Sequence, residues 1–199
     1  MCIKTDTPPD YHCRNYLPHI ERRRCQMITF RLYDSVPASV VQQWKERIET
    51  DKEVTDDEAS RRLLVLIDNY EDAGYGSCLL REGRVANIVK EALQYFDEDR
   101  YRLLAWCIMP NHVHVLIEQL SDVSLSVILH SWRSYTSKKI NKMLCRTGKV
   151  WMPEYFDRYI RDSRHFDTAV RYILNNPVKA GLCTLPSQFQ WSSAYGMET

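Results

Sequence analysis

Hydrophobic and polar positions follow strand or helix periodicity along most of the chain. Residues 25–33 are rich in β-formers and partly alternating, which predicts a strand. The same features predict three further strands, at about residues 101–108, 112–118 and 155–161. Apolar side chains at helical spacing predict five helices, at about residues 37–50, 56–72, 81–97, 123–144 and 165–175. The chain therefore mixes strands with helices.

The order of these elements indicates a fold class. When the helical insertion at about residues 37–72 is set aside, the order is strand, helix, strand, strand, helix, strand. This is the ferredoxin-like split β-α-β arrangement of the α+β class. In it we expect helices on one face of an antiparallel sheet and an open second face for a substrate. Residues 1–24 are expected to form an N-terminal arm, and residues 25–199 a single domain with a C-terminal helical extension.

Composition argues against membrane and secreted proteins. No apolar run reaches the roughly 18–20 residues that span a bilayer, and residues 1–10 lack the apolar segment of a secretory signal. The seven cysteines are scattered and form no Cys-x-x-Cys pair, which favours free thiols in a reducing compartment. We therefore expect a cytoplasmic protein without a membrane partner.

Charge is distributed unevenly, although the net charge is only +1. Residues 46–58 carry seven acids and two bases, whereas residues 131–164 carry nine bases and three acids. The basic block suits a polyanionic partner, and a solvated helix face is the alternative interpretation. Candidates for contacts with a polyanion are bases of this block and of the N-terminal arm: Arg133, Lys138, Lys142, Lys149, Arg158, Arg161, Arg22, Arg23 and Arg24.

Two histidines lie within the predicted strand at residues 112–118. Because side chains alternate across a strand, His112 and His114 share one face and Val113 and Val115 the other. Two imidazoles roughly 6–7 Å apart along a strand can converge on one metal ion. The alternative is a pair of core histidines without a ligand.

A tyrosine and a lysine lie at the apolar stripe of the predicted helix at 123–144. At 100° per residue, Tyr135 falls at the edge of the stripe and Lys139 inside it, where a purely structural face would not require a lysine. Tyrosine can act as a covalent nucleophile, and a nearby ammonium or metal favours its phenolate. An amphipathic core tyrosine is the alternative interpretation. We expect this helix face to approach the histidine-bearing strand.

Several motifs in this order resemble one family. They are Met109-Pro110-Asn111-His112-Val113-His114, Ser134-Tyr135-Thr136, Tyr155-Phe156-Asp157-Arg158-Tyr159 and Tyr172-Ile173-Leu174-Asn175-Asn176-Pro177-Val178-Lys179-Ala180-Gly181-Leu182. Together the motifs resemble the single-tyrosine HUH (IS200-like) transposases, and most of all their REP-associated tyrosine transposase branch. The resemblance runs from about residue 16 to 195, and it implies the HUH endonuclease type of the ferredoxin-like fold.

The resemblance implies a DNA strand-transfer enzyme that acts on single-stranded DNA with hairpins. The resemblance further implies that His112 and His114 bind Mg²⁺ or Mn²⁺. It implies that Tyr135 attacks the scissile phosphate to give a 5′-phosphotyrosine link and a free 3′-hydroxyl. It also implies repetitive palindromes as the DNA partner, and a monomer or a homodimer.

One position departs from the family pattern. Related enzymes have a third metal ligand one helical turn after the tyrosine, where this chain has Lys139, which cannot coordinate a metal while protonated. Water could then be the third ligand, Lys139 could hold a phosphate or help to ionise Tyr135, and imidazole ligands also suit Zn²⁺.

Three other functions stay open at this point. The first is a domesticated hairpin-binding protein without cleavage, for which the departure at Lys139 is the reason. The second is a metal-dependent hydrolase of another class, which would need a further carboxylate or histidine ligand. The third is a replication initiator or relaxase, which would share the chemistry but matches these motifs less well.

Overall fold

The computed structural model of the chain describes residues 11–14, 17–20, 25–51, 54–120 and 122–197, with the backbone alone for 11–14, 17–20 and 57. The strands are β1 (Tyr11–Arg14), β2 (Leu17–Ile20), β3 (Cys25–Leu32), β4 (Tyr101–Ile108), β5 (His112–Gln119) and β6 (Trp151–Tyr159). The helices are α1 (Ala38–Glu49), α2 (Asp56–Asp72), α3 (Gly83–Gln94), α4 (Leu125–Met143) and α5 (Ser163–Lys179). Short 3-10 helices lie at Leu79–Arg81 and Pro186–Gln188.

The main sheet has four strands in the order β4-β5-β3-β6, and every neighbouring pair is antiparallel. The first and third strands of the βαββαβ order therefore lie in the middle, as the ferredoxin-like arrangement requires. This confirms the predicted fold class. β1 and β2 form a separate two-stranded antiparallel sheet within the predicted N-terminal arm.

One face of the sheet packs on α3 and α4. Alternation along the central strands β3 and β5 directs every second side chain to this face. These side chains join one hydrophobic cluster with the apolar stripes of the two helices: Ile28, Phe30, Val113, Val115 and Ile117 from the strands, and Val89, Leu93, Ile128, Leu129 and Trp132 from the helices. This cluster is the main core of the protein.

The opposite face carries His112 and His114, and it is covered as well. A second cluster contains Met27 and Leu116 of the sheet together with Ala169 and Ile173 of α5. Both histidines are about 1% exposed. The expectation of an open second face is therefore wrong, because α5 and the carboxyl-terminal end of α2 lie over it.

The helical insertion forms a hairpin of α1 and α2 with a small core of its own. Val36, Val41, Leu63 and Ile67 are its buried residues. The Thr55 hydroxyl accepts a hydrogen bond from the Glu58 backbone N–H and caps α2. The two helices lie within the segment at about 37–72 that the sequence marks as a helical insertion.

The C-terminal helix α5 is longer than predicted and continues through Pro177 to Lys179. The sequence predicts that this helix ends near residue 175, because proline usually breaks helices. Here Pro177 lies in the last turn, and its carbonyl accepts from the Leu182 N–H at 2.8 Å. Gly181, with a φ of +69°, provides the left-handed residue that ends the helix. The added turn extends the α5 surface that faces the histidines.

Other bounds differ by a few residues. α3 is shorter than predicted, and β6 begins at Trp151 rather than near residue 155. Beyond α5 the described chain has one short 3-10 helix and then runs along the free edge of β4, where the Ile108 N–H donates to the Trp191 carbonyl. None of the described helices could cross a membrane.

Candidate active site

The two histidines of β5 converge through their Nε2 atoms. His112 Nε2 and His114 Nε2 are 3.0 Å apart, and both rings are buried. Burial lowers the pKa of His114 to about 3 and also lowers that of His112, where the neighbouring His114 adds to the effect. Both imidazoles are therefore neutral at physiological pH, which is the state that coordinates metals.

Asn111 determines which nitrogen of His112 carries the proton. The Asn111 amide nitrogen donates to the carbonyls of Glu71 and Tyr75, at 3.0 and 2.9 Å. Its side-chain oxygen must then be the atom 2.8 Å from His112 Nδ1, so that Nδ1 is the donor. His112 Nε2 therefore presents a lone pair toward His114.

Thr29 orients the second ring. Its hydroxyl lies 2.8 Å from His114 Nδ1, across the β3–β5 pair, where the two residues are directly opposite. Outer hydrogen bonds of this kind fix the orientation of metal-binding histidines. Both Nε2 atoms are left to face the same point.

Tyr172 of α5 lies against the histidine pair. Its ring centroid is 5.3 Å from that of His114. Its hydroxyl donates a hydrogen bond to Asp68 Oδ2 at 3.2 Å. Burial, with added repulsion from Asp68 and Asp72, raises the pKa of the Tyr172 hydroxyl above its ordinary value. A tyrosine hydroxyl is thus placed on the histidine face together with a hydrogen-bond acceptor.

Asn176 lies one helical turn after Tyr172 on the same helix. It is about 1% exposed, and its amide lies near the Tyr172 hydroxyl, whose pKa it lowers. Among the described residues neither polar atom of the amide has a partner with good hydrogen-bond geometry, and a buried amide in that state is costly unless a ligand satisfies it. A carboxamide one turn after a tyrosine also matches the ligand position that the family pattern requires and that Lys139 cannot fill.

The end of α2 brings three acids to this face. Asp68, Glu71 and Asp72 have the i, i+3, i+4 spacing that places side chains on one side of a helix. Glu71 Oε2 is 4.0 Å from His112 Nδ1, and Asp72 Oδ1 is 3.9 Å from His112 Nε2. The insertion, to which the sequence analysis assigned no role, thus forms one wall of the site.

Cations balance these acids. Asp72 Oδ2 pairs with Lys179 Nζ at 2.7 Å, and Arg31 Nε lies 3.6 Å from Glu71 Oε1. Burial raises the pKa of Glu71 to about 8, although Arg31 lowers it, and burial raises the pKa of Asp68 to about 6. Burial therefore favours the protonated forms of Glu71 and Asp68.

A cavity of about 130 Å³ opens beside the Tyr172 ring. Thr29, Asp68, Arg158, His165, Thr168 and Tyr172 are among the residues that line it. The Arg158 side chain is exposed and its guanidinium lies over the Phe156 ring. An anion entering this cavity would meet an arginine close to the tyrosine.

Tyr135 and Lys139 lie elsewhere. They are on α4, whose buried side chains pack on the sheet face that carries Val113 and Val115, opposite to His112 and His114. Tyr135 is 42% exposed and lines a groove between α3 and α4, with the Lys139 ammonium 5.6 Å from its ring centroid. α4 therefore packs on the sheet face opposite to the histidines, and the structure does not bring Tyr135 and Lys139 together with His112 and His114.

The candidate bases do not form one surface with the histidines. Arg133 donates to the carbonyls of Met152 and Pro153, and so ties α4 to β6. Lys149 lies over the Tyr33 ring. Four others are exposed: Lys138 and Lys142 on α4, Arg158 on β6 and Arg161 just after it. Arg22, Arg23 and Arg24 lie outside the described residues.

The site supplies only part of the ligand set that a divalent ion needs. Among the described residues, no three His, Cys, Asp or Glu side chains are grouped to hold a metal. The neutral Nε2 pair of His112 and His114 has the right chemistry, and the amide oxygen of Asn176 is of a type that Mg²⁺ and Mn²⁺ accept. The residues present fit a metal that completes its coordination with water or substrate oxygen.

One sequence signal could have identified Tyr172. Lys139 breaks the family pattern one turn after Tyr135, whereas Tyr172 and Asn176 satisfy it within a motif that already carried the resemblance. The expected end of the helix near residue 175 hid this relation, because it placed Asn176 outside the helix.

Comparison with known proteins shows what the chain is similar to. Residues 79–176 match the family described as Transposase IS200 like. A REP-associated tyrosine transposase of Escherichia coli (strain K12) is 28% identical over 110 residues, covering 53% of this chain and 62% of that protein. A second curated relative, from Haemophilus influenzae, is 22% identical over 103 residues, covering 47% and 58%. The matched region thus spans about three fifths of the length of these curated relatives.

A solved structure shares the fold. It is described as a REP-associated tyrosine transposase bound to a REP hairpin, and it superimposes with a TM-score of 0.52 at 17% identity. The match covers 94% of this chain and 87% of that chain.

Proposed function

We propose that this chain, whose residues 79–176 match the family described as Transposase IS200 like, is a member of that family and that it cleaves and rejoins single-stranded DNA beside hairpins through Tyr172. The observation that carries the proposal is the contact of the Tyr172 ring with His114, within a site that also holds His112. A DNA-cleaving tyrosine needs this combination of nucleophile and phosphate-activating centre.

In the proposed reaction the Tyr172 oxygen attacks the scissile phosphorus and the 3′-oxygen leaves. The products are a 5′-phosphotyrosine link and a free 3′-hydroxyl, and attack by a 3′-hydroxyl on that link rejoins DNA. We assign this role to Tyr172 rather than to Tyr135, because α5 and not α4 packs on the histidine face.

His112, His114 and Asn176 would hold the Mg²⁺ or Mn²⁺ ion. When bound, the ion supplies Lewis-acid polarisation of the scissile phosphate. The neutral state of both rings and the lone pair that Asn111 directs to His112 Nε2 support this assignment. Lys139 is no longer needed as a catalytic group.

We propose hairpin-bearing single-stranded DNA as the substrate, by analogy with the relative described as bound to a REP hairpin. Arg158 borders the cavity at Tyr172 and is placed to contact a phosphate next to the cleaved bond. The other exposed bases, Lys138, Lys142, Lys149 and Arg161, together with the arginines at 22–24, would hold the hairpin backbone through charge alone. Arg133 is assigned a structural role because its guanidinium serves two backbone carbonyls.

We further propose that one chain suffices and that it acts in the cytoplasm. Tyr172 and both histidines meet within a single chain. The five described cysteines are free, which suits a reducing compartment.

A covalent-adduct gel tests the proposal. The protein is mixed with labelled single-stranded hairpin DNA and Mg²⁺ or Mn²⁺ and run under denaturing conditions. We expect a metal-dependent shifted band that Tyr172→Phe abolishes and the matched control Tyr135→Phe retains at more than half the wild-type yield. Retention by Tyr172→Phe with loss by Tyr135→Phe would reverse the assignment.

Hairpin binding without cleavage is the second candidate function. The burial of both histidines and of Asn176 favours it, because a phosphate must displace α2 or α5 to reach them. The same gel decides: hairpins that bind at nanomolar to micromolar concentration but give no adduct with either metal would establish binding alone.

A further inference from the structure

The Tyr172 hydroxyl donates a hydrogen bond to Asp68 Oδ2 at 3.2 Å. We propose that Asp68 accepts the phenol proton when Tyr172 attacks, so that the helical insertion supplies a catalytic residue. This inference rests on the proposed cleavage function. Asp68 lies on α2, outside residues 79–176 that match the family.

A proton acceptor is needed at this position. A phenol with an ordinary pKa near 10 is protonated at neutral pH and is a weak nucleophile in that form. The two histidines are poorly placed to take the proton, because their Nε2 atoms face each other and their Nδ1 atoms are hydrogen-bonded to Asn111 and Thr29. Asp68 already accepts the hydrogen that must leave.

The surroundings keep Asp68 both ionisable and basic. Burial is the main cause that raises its pKa to about 6, and Asp72 of the same helix adds to it. The Tyr172 hydrogen bond and the cations Lys179 of α5 and Arg158 of β6 act in the opposite direction. His165 of α5 also lines the cavity. An aspartate with a pKa near the working pH is better suited to general-base catalysis than an exposed one.

The O–H bond of Tyr172 breaks and its proton moves to an Asp68 oxygen, while the phenol oxygen forms a bond to phosphorus. The bond between phosphorus and the 3′-oxygen breaks, and that oxygen leaves with the electron pair and takes a proton from water. In rejoining, the attacking 3′-hydroxyl gives its proton to water as its oxygen bonds to phosphorus, and the protonated Asp68 returns its proton to the departing Tyr172 oxygen.

A purely structural role for Asp68 is the competing explanation. Other contacts already hold the end of α2 to the domain: Asp72 pairs with Lys179, and the Asn111 amide donates to the carbonyls of Glu71 and Tyr75. The Asp68 hydrogen bond is therefore not required for docking of α2. The two roles can be separated by a variant that keeps the hydrogen bond and loses the basicity.

The test compares three variants in single-turnover adduct formation between pH 5 and 9. Asp68→Asn keeps an oxygen that can accept from Tyr172 but cannot take its proton. Asp68→Glu retains a carboxylate, and the matched control Glu58→Gln changes an exposed acid on the same helix. Hairpin affinity and melting temperature are measured for each variant.

We expect the wild-type rate to rise with pH and to level off above about pH 6–7. Asp68→Asn should lower the rate at pH 7 about 10²-fold or more, the scale of general-base catalysis, and its rate should keep rising with pH as hydroxide replaces the base. Asp68→Glu should restore part of the rate, and Glu58→Gln should match wild type. Hairpin affinity should stay within about twofold throughout.

Two other outcomes have distinct meanings. An Asp68→Asn rate and pH profile equal to those of an active wild type would overturn the role of Asp68 and leave the cleavage function intact. A wild type that binds hairpins but forms no adduct would overturn the cleavage function, and the proton-transfer role with it. Carbon-13 NMR of the aspartate carboxyls provides an independent check, since the Asp68 resonance should titrate near pH 6 and should shift in Tyr172→Phe.

Discussion

For single residues, the orientation of the two histidines depends on the side chains beside them. Asn111 and Thr29 each bind the Nδ1 atom of one histidine, and their bonds direct both Nε2 atoms to a common point. The His-x-His pattern predicts that two imidazoles share a strand face, but it does not state which nitrogen is free. That information comes from partners on β3 and on the turn before β5.

Thr29→Val tests this orientation. Valine has the shape of threonine and a strong preference for strands, so the fold should persist while His114 Nδ1 loses its partner. We expect Mn²⁺ affinity, measured by electron paramagnetic resonance titration, to fall by about 10-fold or more, as for other outer hydrogen bonds of metal-binding histidines. The control Thr168→Val removes a hydroxyl that donates to the Arg164 carbonyl of α5. Equal affinities in the two variants would show that Thr29 does not orient the ring.

For helices and strands, the sequence predicted which elements form better than it predicted where they pack. Periodicity predicted the existence of α4 and α5 and the order of the strands, because each depends on local spacing. It could not state which sheet face each helix covers, since an apolar stripe packs equally well on either side. For that reason the sequence led to the expectation that Tyr135 lies on the histidine face, whereas α4 packs on the other face. The expected end of α5 near residue 175 follows from the rule that proline breaks helices, but Pro177 lies in the last turn of α5.

Helix α2 provides an element-scale prediction about pH. Glu71 is about 2% exposed, and burial raises the pKa of its carboxyl to about 8. The folded protein therefore keeps this proton up to about pH 8, whereas the unfolded chain releases it near pH 4.5. The free energy of unfolding should fall as pH rises between these values.

Glu71→Gln should remove this loss. We expect equal stability of variant and wild type at pH 5, and a variant more stable by on the order of a few kcal/mol at pH 9, because glutamine stays neutral where glutamate must ionise. Urea denaturation at pH 5, 7 and 9 measures the difference. Glu58→Gln, an exposed change on the same helix, should show no such trend. A Glu71→Gln variant that is less stable than wild type at pH 9 would mean that the Arg31 pair outweighs the cost of burial.

At the scale of the whole molecule, the arrangement of layers decides whether one chain is enough. α5 follows β6 directly and packs back over the histidine strand of its own chain, so that Tyr172 reaches His114 without a second copy.

A mixing experiment tests whether one chain is enough. Tyr172→Phe and His114→Gln are each inactive on their own in the proposed reaction, and combined in equal amounts they should remain inactive, with adduct yields below about 5% of wild type on a denaturing gel. If the tyrosine of one chain served the histidines of another, random pairing would rebuild roughly a quarter of the sites. Recovery near that level would establish a shared site in a dimer, whereas continued inactivity, with each variant still binding the hairpin, supports cleavage by a single chain.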